Sequence, residues 1–212
     1  MIKHHGLKNG LKRFYEEIFE NRMFDWKNGV ETSGIVHGPE YDVLVGSRKD
    51  VTSYWPTYTT PLLKSCRKLR EFCTHGKTLF IDLGTGKGKP MIVAWQILGC
   101  KVIGVELSGE ILEVCRKNLD HCKADYELIC GDVLNVDYKK MFQGYDTVIV
   151  HNKNSFDRTI TAKTLELIQQ AKTGSLFYIY NNPLYKELFA GKEVILTVDG
   201  WHKNWRTNLY RL

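Results

Sequence analysis

The run Leu79-Phe80-Ile81-Asp82-Leu83-Gly84-Thr85-Gly86-Lys87-Gly88-Lys89 constrains this chain more than any other feature. A short apolar run of strand character passes directly into a turn with glycine at alternate positions. The segment that follows, Pro90 to Leu98, has the length and apolar spacing of a helix. Strand, tight glycine turn and helix together open a βαβ unit. Glycines at 84, 86 and 88 allow the backbone to approach a ligand closely and to present N–H groups that side chains would obstruct. Two familiar ligand-binding loops fail on single residues. The dinucleotide fingerprint requires glycine where Lys89 stands, and the phosphate loop requires glycine at Leu83 and Ser or Thr at Pro90.

From about residue 77 onward, apolar runs alternate with helix-length segments, as a parallel sheet requires. The runs are Leu79–Ile81, Val102–Val105, Tyr126–Cys130, Thr147–Val150 and Leu176–Tyr180, and the intervening helices are expected over Pro90–Leu98, Gly109–His121 and Thr159–Ala171. The connection between Val194–Val198 and Trp205–Leu212 contains a glycine and is too short for a crossover helix, so these two runs are expected to pair as an antiparallel hairpin. Upstream lie an amphipathic helix carrying Leu7, Leu11, Phe14, Tyr15, Ile18 and Phe19, a Gly/Ser/Thr-rich segment from Gly29 to Gly38, and a second helix starting near Thr59-Thr60-Pro61. The expected division is an N-terminal helical extension and lid over 1–75 and a ligand-binding α/β domain over 76–212.

Composition narrows the function. Hydrophobic residues at 43% and charged residues at 25% are those of a globular chain with a real core. The net charge of +6 comes from scattered basic residues, which permits nucleic-acid binding without indicating it. Cys66, Cys73, Cys100, Cys115, Cys122 and Cys130 form no C-x-x-C pair and no Cys/His array, so no metal is expected and the thiols are read as free core residues. With no secretory apolar segment near Met1 and no run of the roughly 20 apolar residues that a membrane span needs, a cytoplasmic protein that does not enter the membrane is expected.

Two further acids sit where strands are expected to end. Glu106, 24 residues after Asp82, ends the second run and can accept hydrogen bonds from both hydroxyls of an unmodified ribose. Asp132, in Cys130-Gly131-Asp132, follows the third run, where it can accept from the exocyclic amine of an adenine or cap a helical turn. The carboxyl ends of successive strands form the edge at which open α/β sheets bind ligands.

Asp82-Leu83-Gly84-Thr85-Gly86-Lys87-Gly88, then Glu106, then Gly131-Asp132 resemble the three cofactor motifs of the class I S-adenosylmethionine-dependent methyltransferases. The resemblance covers roughly 77–212. It implies a Rossmann-like α/β fold with a mostly parallel sheet in the order 3-2-1-4-5-7-6, ending in an antiparallel hairpin and with helices on both faces. It also implies S-adenosylmethionine as cofactor. The glycine loop (Gly84, Thr85, Gly86, Gly88) would lie under the methionine part, Glu106 would hold ribose and Asp132 adenine, with Asp82, Leu107 and Val133 as further cofactor-binding residues. A second resemblance, of Tyr54-Trp55-Pro56-Thr57 to the lead-in of certain non-SET protein-lysine methyltransferases, implies that Tyr54 and Thr57 close over the cofactor. The same segment could instead simply pack the N-terminal region onto the sheet.

The acceptor is expected near the end of the fourth strand, which reads Val148-Ile149-Val150-His151-Asn152-Lys153-Asn154-Ser155-Phe156. That run departs from the Asp/Asn-Pro-Pro-aromatic motif of DNA and RNA amino-methyltransferases, which ranks a protein amine or small metabolite ahead of a nucleic-acid base. His151, with Asn152 and Tyr54, is a candidate catalytic residue, because a histidine at a ligand edge can take a proton near neutral pH. It could equally be satisfied by backbone groups. Asn181-Asn182-Pro183-Leu184-Tyr185 falls one crossover later and could still line the pocket. Asn28–Gly34 suits a lid in which Thr32 and Ser33 bond the cofactor's carboxylate or cap a turn. Two competing readings are a fold that binds the cofactor without turnover and a nicotinamide-dependent oxidoreductase, the latter at odds with Lys89.

Overall fold

Alternation of side chains along five buried strands builds the centre of the molecule. In β1 (Thr78–Leu83), Leu79, Ile81 and Leu83 face one side of the sheet while Phe80 faces the other. This computed structural model describes residues 6–36, 54–74, 76–201 and 205–212, and the side chains of 6–9 and 17 lie outside the description. β1 is joined in one sheet by β2 (Lys101–Glu106), β3 (Tyr126–Cys130), β4 (Thr147–Asn152), β5 (Ser175–Asn181), β6 (Glu193–Asp199) and β7 (Arg206–Arg211), in the order β3-β2-β1-β4-β5-β7-β6. Strands β1 to β5 are parallel, and β7 runs antiparallel between β5 and β6. Order, direction and terminal hairpin all match the class I methyltransferase expectation.

One face is covered by α6 (Tyr138–Phe142) and α7 (Arg158–Gln170), which bring Phe142, Ile160, Leu165 and Ile168 onto Leu79, Ile81 and Val150. The other is covered by α3 (Thr59–Leu69), α4 (Lys89–Leu98) and α5 (Gly109–His121), with Leu62, Leu69, Ile92 and Leu119 against Phe80, Ile149 and Phe177. Helix starts follow local chemistry. Ser108 Oγ accepts from the Ile111 N–H to open α5, and Asp157 Oδ1 accepts from the Ile160 N–H to open α7. Glycine in the left-handed conformation closes α4 at Gly99.

The N-terminal helix is interrupted. α1 (Gly6–Phe14) passes through a π-helical segment, Tyr15–Phe19, into α2 (Glu20–Asn28). Its apolar stripe is not the face it buries: Leu11, Phe14, Tyr15, Ile18 and Phe19 are all exposed. The inward face is mixed, with Phe24 joining the core and Asn21 and Asp25 buried as polar anchors. Of the Gly29–Gly38 segment, Gly38 lies outside the described residues, while Val36 bridges Tyr54.

Candidate active site along the carboxyl edge of the sheet

The segments leaving the carboxyl ends of the parallel strands enclose a cavity of about 350 Å³. Asp82, Gly84, Thr85, Gly86, Glu106, Leu107, Asp132, Val133, Tyr54 and Thr57 all line it. The three acids therefore share one wall, contributed in turn by β1, β2 and β3.

The glycine turn is held by its neighbours. Gly84 and Thr85 N–H groups donate to the Val105 carbonyl at 2.9 and 3.1 Å, and the Gly86 N–H donates to Glu106 Oε2 at 2.9 Å. The turn thus presents bare backbone to the cavity but spends these donors inside the protein. This corrects the expectation that its N–H groups face a ligand. Gly86 has φ 54°, and a Cβ there would meet the Tyr54 ring at 2.4 Å, so Tyr54 closes directly over the turn. Gly88, at φ 86°, does not line the cavity, because a Cβ there would meet Cys115 Sγ at 2.6 Å. Its role is to let α4 and α5 approach. Gly104, inside β2, serves the same end, since a Cβ would strike Met91 Sδ at 2.7 Å and Thr85 Cγ2 at 2.9 Å.

Glu106 is fixed by three backbone donors: Gly86 N–H on Oε2, and Leu107 and Ser108 N–H at 2.8 and 3.2 Å on Oε1. Burial pushes its carboxyl above the usual carboxylate range, against the downward pull of those donors. Asp132 Oδ1 accepts from the Leu134 N–H at 3.0 Å and so caps a helical turn while lining the cavity. Asp82 is buried. Its Oδ2 accepts from Thr85 Oγ1 at 3.0 Å, and its Oδ1 faces His151 Nδ1 at 2.7 Å.

His151 is not a wall residue. It pairs with Asp82 across β1 and β4, and its ring stacks on Phe80 on the helix-covered face of the sheet. A carboxylate can only accept, so Nδ1 carries the proton, and Nε2 is buried without a partner. Asn152 is also buried away from the cavity, donating to the Leu83 carbonyl and accepting from the Ser155 N–H. The expectation that these two meet the acceptor fails for a geometric reason. Asp82, in register with His151, reaches the cavity, but the His151 ring is turned onto Asp82 and Phe80 and the Asn152 amide is spent on Leu83 and Ser155, so β4 contributes to the wall only from Lys153 to Phe156. Thr32 is likewise turned inward, with N–H and Oγ1 both bonded to Asp25.

Thr32 belongs to a strap across the glycine turn. Glu31 pairs with Lys87 at 2.7 Å, Asn118 Nδ2 donates to the carbonyls of Glu31 and Lys87, and Tyr54 Oη donates to the Thr32 carbonyl at 2.7 Å. Beneath it, buried Lys89 donates to Asn21 Oδ1 at 2.6 Å and lies over the Phe24 ring. Burial lowers its pKa to about 8 against the upward pull of Asp25 and Glu20.

The far half of the cavity is formed by Trp55, Lys153, Asn154, Ser155, Phe156, Asn182 and Trp205. Trp55 belongs to the 54–57 lead-in, Lys153 to Phe156 to the expected acceptor run and Asn182 to the second asparagine motif, so of this half sequence reasoning missed Trp205 alone. Trp205 carried no local signal. Lys153 Nζ donates to the carbonyls of Trp55 at 3.0 Å and Pro56 at 2.5 Å, tying the 54–57 segment to the end of β4.

A sheet in this order, with a glycine turn after β1 and acids at the ends of β1, β2 and β3, defines the class I methyltransferase arrangement. Residues 74–205 match a family model described as Methyltransferase domain, and the chain belongs to that family. It is an S-adenosylmethionine-dependent methyltransferase. Solved structures with the same fold include an RNA methyltransferase from Salinibacter ruber in complex with S-adenosyl-L-homocysteine, at 16% identity and a TM-score of 0.50, covering 72% of this chain and 90% of that one. A SAM-dependent methyltransferase from Aquifex aeolicus has 14% identity and a TM-score of 0.51, covering 71% and 90%. A ribosomal protein L11 methylase from Lactobacillus delbrueckii subsp. bulgaricus has 18% identity and a TM-score of 0.51, covering 72% and 77%. No curated protein sequence matches the chain. Among the described residues no helix is long and apolar enough to cross a membrane, and no cluster of His, Cys, Asp and Glu could hold a metal ion.

Proposed function

We propose that this enzyme methylates a protein amine or a small metabolite rather than a nucleic-acid base, in the cytoplasm, with the acceptor entering the half of the cavity bounded by β4, β5 and β7. The observation that carries this reading is the continuity of one cavity from Asp132 to Trp205. S-adenosylmethionine, when bound, supplies an electrophilic methyl group on a sulfonium.

The residues present fit that group. Gly84 and Gly86 let Ser155 and Tyr54 close on bare backbone at the cavity wall, and Glu106, already accepting three N–H bonds, keeps about one lone pair, on Oε2, for a ribose hydroxyl. Asp132 would accept from adenine, Leu107 and Val133 would bound the ring, and Tyr54 and Thr57 would close the opposite wall. We read residues 1–75 as an N-terminal helical extension and lid, of which the described strap at Glu31 and Thr32 and the segment at Tyr54 lie against the glycine turn. The chain's work is positional: holding an acceptor at attack distance supplies most of what a displacement at methyl needs. His151 has no part in proton transfer on this reading. It fixes Asp82.

Incubation with methyl-labelled cofactor and fractionated lysate tests the reading. Label entering protein or small molecules supports it, and label confined to nucleic acid overturns the ranking of acceptors.

A further inference from the structure

Asn154 and Asn182 are two of the few non-glycine residues with a positive φ, at 48° and 52°, and both line the cavity. They are related by register. Asn152 of β4 pairs with Tyr180 of β5, so each asparagine stands two residues beyond that pair at the ends of neighbouring parallel strands. Asparagine is among the few side chains that tolerate this backbone, and its recurrence at matched positions puts two amides on one stretch of wall. Asn154 Oδ1 is buried and has no hydrogen-bond donor. An unsatisfied acceptor of that kind is a standing cost that a ligand N–H can remove. The Asn182 N–H donates to the Arg206 carbonyl at 2.8 Å, which ties this wall to Trp205 at the start of β7.

The remaining wall of this half is aromatic, with Trp55, Phe156 and Trp205, and among the described residues Lys153 is its one charged group. Trp205 is already stacked on Trp201 with ring centroids 5.6 Å apart, so it does not form an open parallel platform with a second ring. Such a wall is apolar enough to take an aliphatic chain. No carboxylate or histidine lines this half among the described residues, whereas a hydroxyl acceptor would need a base to attack. A fixed ammonium at Lys153 and removal from water both lower the pKa of an entering amine and favour its neutral form.

We infer that Asn154 and Asn182 form the acceptor site for a primary amine on an aliphatic chain, with Asn154 Oδ1 accepting its N–H. This rests on the proposed direction of the cavity. An entering ammonium gives its proton to solvent. The nitrogen lone pair then forms the N–CH₃ bond while the electrons of the broken C–S bond remain on sulfur, and the secondary ammonium that results carries the positive charge lost from sulfur.

Calorimetry with the full-length protein saturated with S-adenosylhomocysteine tests the site without turnover. Pentylamine is expected to bind, with an enthalpy that depends on the buffer's ionisation heat because a proton is released, and 1-pentanol is expected to bind at least tenfold more weakly. Asn154→Gly keeps the left-handed backbone and removes only the amide. It should weaken pentylamine about tenfold, while Asn154→Asp retains binding and both variants hold S-adenosylhomocysteine with wild-type affinity. Nα-acetyl-lysine methylamide and putrescine then separate a protein side chain from a free amine. Equal binding of the alcohol, no proton release, an unchanged Asn154→Gly, or preferential binding of adenosine overturns the assignment. Failure of S-adenosylhomocysteine itself to bind would instead overturn the cofactor reading beneath it.

Discussion

The two halves of the cavity are built differently. The half bounded by β1, β2 and β3 is a row of carboxylates: Glu106 is held by the N–H groups of residues 86, 107 and 108 and Asp132 by that of residue 134, while Asp82 is held by the side chains of Thr85 and His151. The half bounded by β4, β5 and β7 is made of amides and rings that come from residues 55, 154–156, 182 and 205. On the proposed reading the first half holds the cofactor, and most of its groups are placed by turns at the ends of adjacent strands. The proposed acceptor half is assembled from segments spread over the chain, so it can change without disturbing the first.

The most severe challenge to that division is Gly86→Val. The new side chain would collide with Tyr54 at a left-handed backbone position, costing roughly 3 kcal/mol or more, and binding of S-adenosylhomocysteine should become undetectable by calorimetry. His151→Phe should lower unfolding free energy by about 2–3 kcal/mol, because it strips a buried carboxylate of a donor. Denaturant melts check this, and a large fall in turnover with unchanged stability would instead make His151 catalytic.

Lys89→Met probes the brace beneath the glycine turn. The folded lysine has a pKa of about 8 against an ordinary value of 10.5, so between these values the unfolded state binds more protons. Wild-type stability should therefore gain on the variant as pH rises through that window, by up to about 3 kcal/mol. Melts at pH 7.5 and 10.5 measure it.

Glu106→Ala should weaken S-adenosylhomocysteine by about 1–3 kcal/mol and leave amine binding to the far half as the smaller change. The raised pKa adds a signature. Cofactor affinity should hold at neutral pH and fall on acidification, starting above the range of an ordinary glutamate, whereas Glu106→Gln should show no such fall. The mildest test is Lys153→Met, which frees Trp55 and Pro56 and should cost S-adenosylhomocysteine less than about 1 kcal/mol.

The same contrast explains what could be read from sequence. The βαβ order, the terminal hairpin and the acids at 82, 106 and 132 are written in contiguous runs, and periodicity locates strand ends to within a residue or two. Reading His151 and Asn152 into the cavity failed because position along a strand does not reveal a side chain's partners: Asp82, in register with His151, reaches the cavity, while His151 is held by Asp82 and Phe80 and Asn152 by Leu83 and Ser155. Thr32 failed because a buried partner seven positions away, Asp25, out-competes any ligand for it. Trp205 was invisible because only the sheet's final order brings it to the edge.

That final order has a corollary. Since β7 descends where its neighbours ascend, the first residues of the strand, not the last, arrive at the reactive rim. On the proposed reading, a change of length between β6 and β7 would then reshape the acceptor half while sparing the wall that carries the three acids.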